Sequence, residues 1–371
     1  MVKNEFFNGI YAGKKVLVTG NTGFKGSWLT VWLLRLGANV YGLSKDVPTQ
    51  PSLFESLHLR ERITHHEADV RDTAAVRTLI DDLRPDFIFH LAAQPIVLYS
   101  YENPLETITT NVVGTTNILE ALRTLDFPCT AVMITSDKCY DNVEWLWGYK
   151  ETDALGGKDV YSGSKGAAEL VCKSYYHSFF KKETSRVRIA TARAGNVIGG
   201  GDWALNRIVP DCMRAWNVGK AVEIRNPNAT RPWQHVLEPL SGYLLLGQAL
   251  CGNERLNGES FNFGPRAECN HTVEDLLIDL GRCWRFPDAS QTYGVIGGGT
   301  FHEAGLLKLN CDKALAHLHW TAVLDYKALI RFTGEWYYRF YREKTDMFAF
   351  TTAQIAAYEE QANAEKQIWA T

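Results

Sequence analysis

The sequence predicts an α/β fold: a doubly wound parallel sheet carrying a smaller lobe built from discontinuous segments. Three observations lead there. Short apolar runs alternate with longer amphipathic ones from residue 15 to residue 193, the pattern of parallel strands joined by crossover helices. A glycine-spaced turn, "TGNTGFKG" (19–26), joins the first apolar run to the first helical stretch. The chain has 371 residues, more than the roughly 250–300 at which a single core stops growing, so a second lobe is expected.

The first strand is "KVLVT" (15–19), followed by a helix through "GSWLTVWLLRLG", a strand "NVYGL" (39–43) and a helix over "AAVRTLIDDL". The series continues with "DFIFHLA" (86–92), a helix near 105–124, "CTAVMITS" (129–136), a helix from about 161 to 180, and "RVRIATAR" (186–193). Beyond Asn196 the alternation loosens, and glycine and proline punctuate "NVIGGGDW", "RNPNATRPWQHV" and "FNFGPRAE". A helix at about 237–250 and a strand at "SFNFG" are placed to rejoin the first sheet. The expected division is a first domain over 14–195 with 237–263 rejoining it, a second lobe over 196–236 and 264–345, and a polar helical tail over 346–371.

Composition excludes several classes of function. With 46% hydrophobic residues, 22% charged residues and a net charge of −3, the chain reads as a soluble protein with no electrostatic case for nucleic acid or membrane partners. Its eight cysteines never form a CxxC pair, so they are expected to be reduced thiols in a cytoplasmic protein. His65–His66 and Cys269–His271 lack further ligands at finger spacing, and no metal site is expected. No signal peptide or apolar run of about 20 residues is visible.

Gly20, Gly23 and Gly26 stand where the backbone turns tightly and approaches a pyrophosphate, which the amino terminus of the next helix stabilises. This makes the sheet Rossmann-type, with Thr22, Phe24 and Lys25 in the same turn. In "EADVRD", Asp69 is either an acceptor for an adenine amino group, with Val70 beside it, or an exposed loop carboxylate. A ribose-binding acid is expected about 20 residues past the glycines. "VYGLSKD" supplies Ser44, Lys45 and a late Asp46 instead, and Lys45 could face a 2′-phosphate.

"YSGSK" (161–165) puts Tyr161 and Lys165 four apart on one helix face. A lysine ammonium near a phenol favours phenolate, lowering its pKa from about 10 so that tyrosine can act as a base. Tyr11 and Lys15 have the same spacing but precede the first strand and cannot reach its carboxyl end. "TSDKCYDN" (135–142) ends a strand in Ser136, Asp137 and Lys138, which is either a turn or an acid and a base at the sheet edge where such folds place their chemistry.

Together, "TGNTGFKG", "HLAAQP", a serine at a strand end and "YSGSK" resemble the extended short-chain dehydrogenases that act on nucleotide sugars. "TSDKCYDN", "WGYKE", "RAGNVIGGGDWA", "RIVPD" and "RPWQHVLEPLSGYLLL" narrow the resemblance to the CDP-glucose 4,6-dehydratases through residues 14–250, with a looser match in "GLLKLN". The resemblance implies tightly held NAD, a homodimer or homotetramer, and conversion of CDP-glucose to CDP-4-keto-6-deoxyglucose. Oxidation at carbon 4 makes the carbon-5 proton acidic, water then leaves across carbons 5 and 6, and the hydride returns to carbon 6. A cofactor recycled in place has no demand for a reducing pool, which favours NAD over NADP.

On this likeness Tyr161 takes the hydroxyl proton, Ser136 bonds the same oxygen, and Lys165 holds ribose and phenolate. Asp137 and Lys138 serve elimination as acid and base. Related dehydratases on dTDP- and GDP-sugars carry Glu in place of Lys138. A lysine must be driven to its neutral form by burial and nearby positive charge before it is a base, so an orienting role for Lys138 stays open. The same likeness places Leu91, Ala92, Ala93, Gln94 and Asn111 at the cofactor, and Gln94 at the substrate as well. Arg193 and Asn196 are expected at the cleft mouth. Arg207 and Arg231 suit a diphosphate, since guanidinium forks match phosphate oxygens, unless they are solvated surface arginines. His302 and Glu303 are suggested as nucleotide contacts, and "EWLWG" (144–148) as a loop packed over the site. The competing readings are a nucleotide-sugar 4-epimerase, which needs no acid and base beside the serine, and a non-catalytic cofactor-sensing protein.

Overall fold

Successive residues of the central strands go to opposite sides of one sheet, and both sides are covered. The structure, a computed structural model, describes residues 6–266, 269–288, 291–296 and 307–371. Strands β1 (Lys15–Thr19), β2 (Asn39–Ser44), β3 (Thr64–Glu67), β4 (Phe87–His90), β5 (Cys129–Ile134), β6 (Val187–Arg193) and β7 (Ser260–Asn262) form a seven-stranded sheet. Its order is β3-β2-β1-β4-β5-β6-β7, and every pair is parallel. Val16, Val18, Phe89, Val132 and Ala190 enter one core, while Leu17, Ile88, Ala131, Met133 and Ile189 enter the other. Two buried faces explain why these strands read as unbroken apolar runs. The edge strand β3, "THHE", is only partly buried, and no apolar run marks it.

The strand order reverses between β1 and β4, and there the connections leave in opposite directions and open a crevice at the carboxyl edge. Among the described residues, the helices of ten residues or more are α1 (Phe24–Arg35), α2 (Thr73–Leu83), α3 (Gly114–Arg123), α4 (Val160–Tyr175), α5 (Ile208–Asn217), α6 (Leu237–Gly252), α7 (Val273–Cys283), α8 (Tyr326–Arg342) and α9 (Met347–Ala364). The helix expected over 105–124 is interrupted: Pro104–Ile108 runs into a π-turn at Thr109–Val113 before α3 begins. The wider turn faces Asn111 inward, and such turns recur at functional sites. A second π-turn, Tyr176–Phe180, ends the stretch expected to be helical to 180.

Outside the sheet, short segments pair with one another. Val197–Ile198 pairs with Gln234–His235, Thr230–Arg231 with His271–Thr272, and Val222–Ile224 with Tyr293–Val295. Trp28 of α1 donates to the Gly200 carbonyl at 2.9 Å. Residues 346–371, expected as a polar tail, pack into the main core. On α9, Ile355, Tyr358 and Ala362 are buried, and Glu359 accepts from Trp32 Nε1 at 2.9 Å and Arg35 Nε at 2.8 Å. Phe7 and Tyr11, ahead of the first strand, also belong to this core, with Phe7 stacked on Trp369 at 4.9 Å. Among the described residues no helix is long and apolar enough to cross a membrane.

Candidate active site

The glycine turn is held by backbone. Gly20 adopts φ +72°, its N–H donates to the Leu43 carbonyl at 2.7 Å, and a Cβ there would lie 2.7 Å from the Ala92 nitrogen. A Cβ on Gly26 would fall onto the Gly20 carbonyl oxygen. The first turn of α1 therefore seats directly on the loop, and Gly20, Thr22, Gly23, Phe24, Lys25 and Gly26 line the cleft. Burial pushes the Lys25 ammonium down to about 8; Arg207 and Lys165 add to this, and Asp137 and Asp202 oppose it.

Asp69 and Val70 line the far end of the cleft. The Asp69 carboxylate is engaged by Arg71, through its backbone N–H at 2.9 Å and Nη2 at 2.5 Å, and this pairing holds it below the usual carboxylate range. Lys45 lies 3.0 Å from Glu106 and 3.8 Å from Asp46.

Leu91, Ala92 and Ala93 line the cleft, whereas Gln94 and Asn111 do not. The Gln94 amide donates to the Ile96 carbonyl at 3.0 Å and to Thr107 at 2.8 Å. Asn111 accepts from the Gln94 N–H at 2.8 Å and donates to Ser164 at 2.8 Å. Both side chains, expected at the ligands, are spent fixing the loop after β4 to α4.

Beyond β5, "TSDKCYDN" forms a capped turn whose polar residues line the cleft. Ser136 caps a single turn over Asp137–Cys139, accepting from the Lys138 N–H at 3.2 Å while donating to Asp137 Oδ1 at 2.9 Å. Ser136, Asp137 and Lys138 all line the cleft. The Asp137 carboxylate lies on Gly195, where any Cβ would overlap it. Tyr161 and Lys165 reach the same cleft from α4, whose amino end is capped by Asp159 accepting from the Ser162 N–H at 2.9 Å. Tyr161 is hydrogen-bonded to Ser136.

Tyr161 corrects the expectation of a pKa below 10. Burial pushes the phenol up to about 12; the Ser136 hydrogen bond and the Arg207 charge oppose this, and Asp137 adds to it. Lys165 is itself pushed down to about 8 by burial. Desolvation wins because both groups are enclosed by protein.

The arginines divide. Arg193, expected at the cleft mouth, is buried and forks onto Glu169 at 2.9 and 2.8 Å, away from the cleft lining. It ends β6, and its side chain passes beneath the sheet edge to α4. Arg207 lines the cleft, pairs with Asp202 at 2.9 Å and stands close enough to Tyr161 and Lys25 to alter both. Arg231 and Asn196 also line the cleft, Asn196 at φ +52°. His302 and Glu303 lie outside the described residues. In the "EWLWG" loop, Trp145 packs on Tyr149 at 5.1 Å, but Leu146 and Trp147 are 80% and 73% exposed, so the tip faces solvent. Sequence reasoning missed Asp202 and Glu169; Asp202 is five residues from its partner Arg207, whereas the partners of Glu169 come from remote strands.

The cleft measures about 1290 Å³, above the ~300–1,000 Å³ of a single small-molecule site. A family model described as GDP-mannose 4,6 dehydratase matches residues 17–333. The chain is 49% identical over 313 residues to CDP-glucose 4,6-dehydratase of Salmonella typhimurium, covering 84% of this chain and 86% of the relative. It is 27% identical to CDP-paratose 2-epimerase of Salmonella typhi, covering 67% of this chain and 78% of the relative. Among solved structures, UDP-glucose-4-epimerase from Stenotrophomonas maltophila with bound NAD superposes with a TM-score of 0.76 at 21% identity, covering 89% of this chain and 99% of that one. On the strength of the family model and the 49% relative, the chain belongs to the GDP-mannose 4,6-dehydratase family of extended short-chain dehydrogenases.

Proposed function

We propose that this protein dehydrates CDP-glucose to CDP-4-keto-6-deoxyglucose with NAD as a recycled cofactor. The observation that carries the reading is the placement of Ser136, Asp137 and Lys138 on one strand end, facing Tyr161 and Lys165 across one cleft. The glycine turn fits a dinucleotide, because no Cβ is tolerated between Gly20 and Ala92 and α1 opens its amino end into the cleft. NAD bound there supplies the hydride acceptor for carbon 4 and the hydride for carbon 6.

Tyr161 removes the carbon-4 hydroxyl proton, with Ser136 bonded to the same oxygen. Its phenol, at about 12 in the free protein, needs positive charge to ionise, and Arg207 is a cation within reach that favours this. Once the ketone exists, Lys138 in its neutral form takes the carbon-5 proton, or as an ammonium orients Asp137 and stabilises the enolate, and protonated Asp137, seated on Gly195, gives a proton to the departing carbon-6 hydroxyl. Arg207, Arg231 and Asn196 bind the diphosphate-sugar side, and the second lobe takes the cytidine. Leu105 and Leu170, 74% and 53% exposed, give an apolar surface for a homodimer or homotetramer. The eight cysteines form no disulfide, which accords with a cytoplasmic site of action.

The test is incubation with CDP-, dTDP-, GDP- and UDP-glucose followed by mass spectrometry. Loss of water from CDP-glucose alone is the expected result. An isomer of equal mass would make the protein an epimerase, and no turnover of any sugar a sensor.

A further inference from the structure

We infer that Glu169 and Arg193 are positioning residues for the oxidation step, holding the Tyr161–Lys165 face of α4 against the Ser136 strand end and keeping Lys165 charged. The inference rests on the reading of Tyr161 and Lys165 as the redox pair.

Tyr161, Lys165 and Glu169 are spaced four apart and form three rungs of one helical face. All three are buried. Glu169 Oε1 accepts from Thr135 Oγ1 at 2.5 Å and Arg193 Nε at 2.9 Å. Its Oε2 accepts from Arg193 Nη2 at 2.8 Å, Thr191 Oγ1 at 2.8 Å and Ser260 Oγ at 3.3 Å. Thr135 immediately precedes Ser136, and Arg193 stands two residues before Gly195, the seat of Asp137. From its other side Arg193 Nη1 donates to Tyr140 Oη at 2.7 Å, and Tyr140 donates to Asn262 Oδ1 at 2.8 Å. One carboxylate thus joins α4 to the ends of β5, β6 and β7 and, through Arg193, to the loop after Lys138.

A buried ion pair is often replaceable by apolar residues without loss of stability, so stability alone does not call for this fork. Electrostatics does. Besides the neutral Tyr161 phenol one turn before it, the titratable groups facing Lys165 are Cys139 from the turn after β5, His90 from β4, Lys25 from α1 and Glu169 on its own helix. Burial keeps the Cys139 thiol and the His90 imidazole neutral, and Lys25 is a cation. Of these four, Glu169 alone carries negative charge at neutral pH. Burial works against that charge, but Arg193 and the hydroxyls hold the carboxyl below its usual range.

The experiment follows Lys165 ionisation by NMR titration of lysine-labelled, cofactor-free protein, with Lys165→Arg assigning the signal. It also follows the pH dependence of CDP-glucose-dependent NADH formation in the loaded enzyme. Lys165 deprotonation removes the ammonium, so formation should fall as pH rises. In Glu169→Gln both the titration and this alkaline limb should move down by about one pH unit, and Glu169→Asp should restore most of it. The double variant Glu169→Gln, Arg193→Gln leaves no uncompensated charge and should show the same shift if the single variant does not fold. A titration that stays at the parental pH in the folded variants, or an aspartate that fails to rescue, overturns the inference alone. A parent enzyme that forms no NADH at any pH sinks the redox reading and the inference with it.

Discussion

The glycine turn and the strand end at Ser136 sit over the same sheet edge but are built by different means. At the turn, Gly26 leaves room for the Gly20 carbonyl, so backbone meets backbone. At the strand end, Gly195 leaves room for the Asp137 carboxylate, and the surrounding order comes from buried side chains that meet at Glu169. On the proposed function, this difference predicts that cofactor binding and sugar chemistry are separable: unyielding backbone would govern one, and side chains that can swing the other.

Substitutions at the two ends sharpen or break that comparison. Tyr161→Phe should have the largest effect, cutting transient NADH formation on mixing with CDP-glucose by about 10⁴-fold, the upper range for a lost proton carrier. Undiminished cofactor reduction would remove Tyr161 from the oxidation. Asp137→Asn and Lys138→Ala should each slow water loss by about 10²–10⁴-fold while oxidation survives, so reduced enzyme accumulates in a single turnover. Gly195→Ala, which displaces Asp137, should behave like Asp137→Asn and leave NAD titrations unchanged.

Gly26→Ala tests the other end. Overpacking against rigid backbone costs about 1–3 kcal/mol, which predicts NAD binding weakened by about 10- to 100-fold. The ratio of elimination to oxidation at saturating NAD should not change, and a changed ratio would couple the two ends. The smallest effect concerns pH. The Lys25 ammonium favours an anionic pyrophosphate and is lost as pH rises through about 8 in the free protein. NAD affinity should therefore fall above that pH by roughly tenfold at most, and Lys25→Met should flatten the dependence. A parental affinity indifferent to pH would move Lys25 away from the cofactor.

Much of the first lobe was legible. The alternation of "KVLVT", "DFIFHLA" and "CTAVMI" with helical stretches reflects a sheet covered on both faces, and the turn at 19–26 declares its backbone through its glycines. The break in the helix at Thr109–Val113 was not legible, because "TTNVV" contains neither glycine nor proline and the turn is drawn open by what Asn111 bonds. The edge strand "THHE" carries no apolar run, since half-exposed residues need not be apolar.

The sequence by itself determined whatever depends on neighbours along the chain: strand periodicity, the glycine turn, the cap on Ser136, and the four-residue spacing that brings Tyr161, Lys165 and Glu169 onto one face. Only the tertiary structure decided which polar groups meet the cleft. Arg193, Arg207 and Arg231 look alike in sequence, yet the first is buried on Glu169, 24 positions away, while the other two line the cleft. The Tyr161 phenol, expected below 10, is pushed to about 12 because enclosure outweighs its neighbours' charges. Burial and partnership are set by residues that approach from remote segments, as Tyr140 meets Asn262 across 122 positions. A local pattern carries the shape of the backbone but not the dielectric in which a side chain comes to rest.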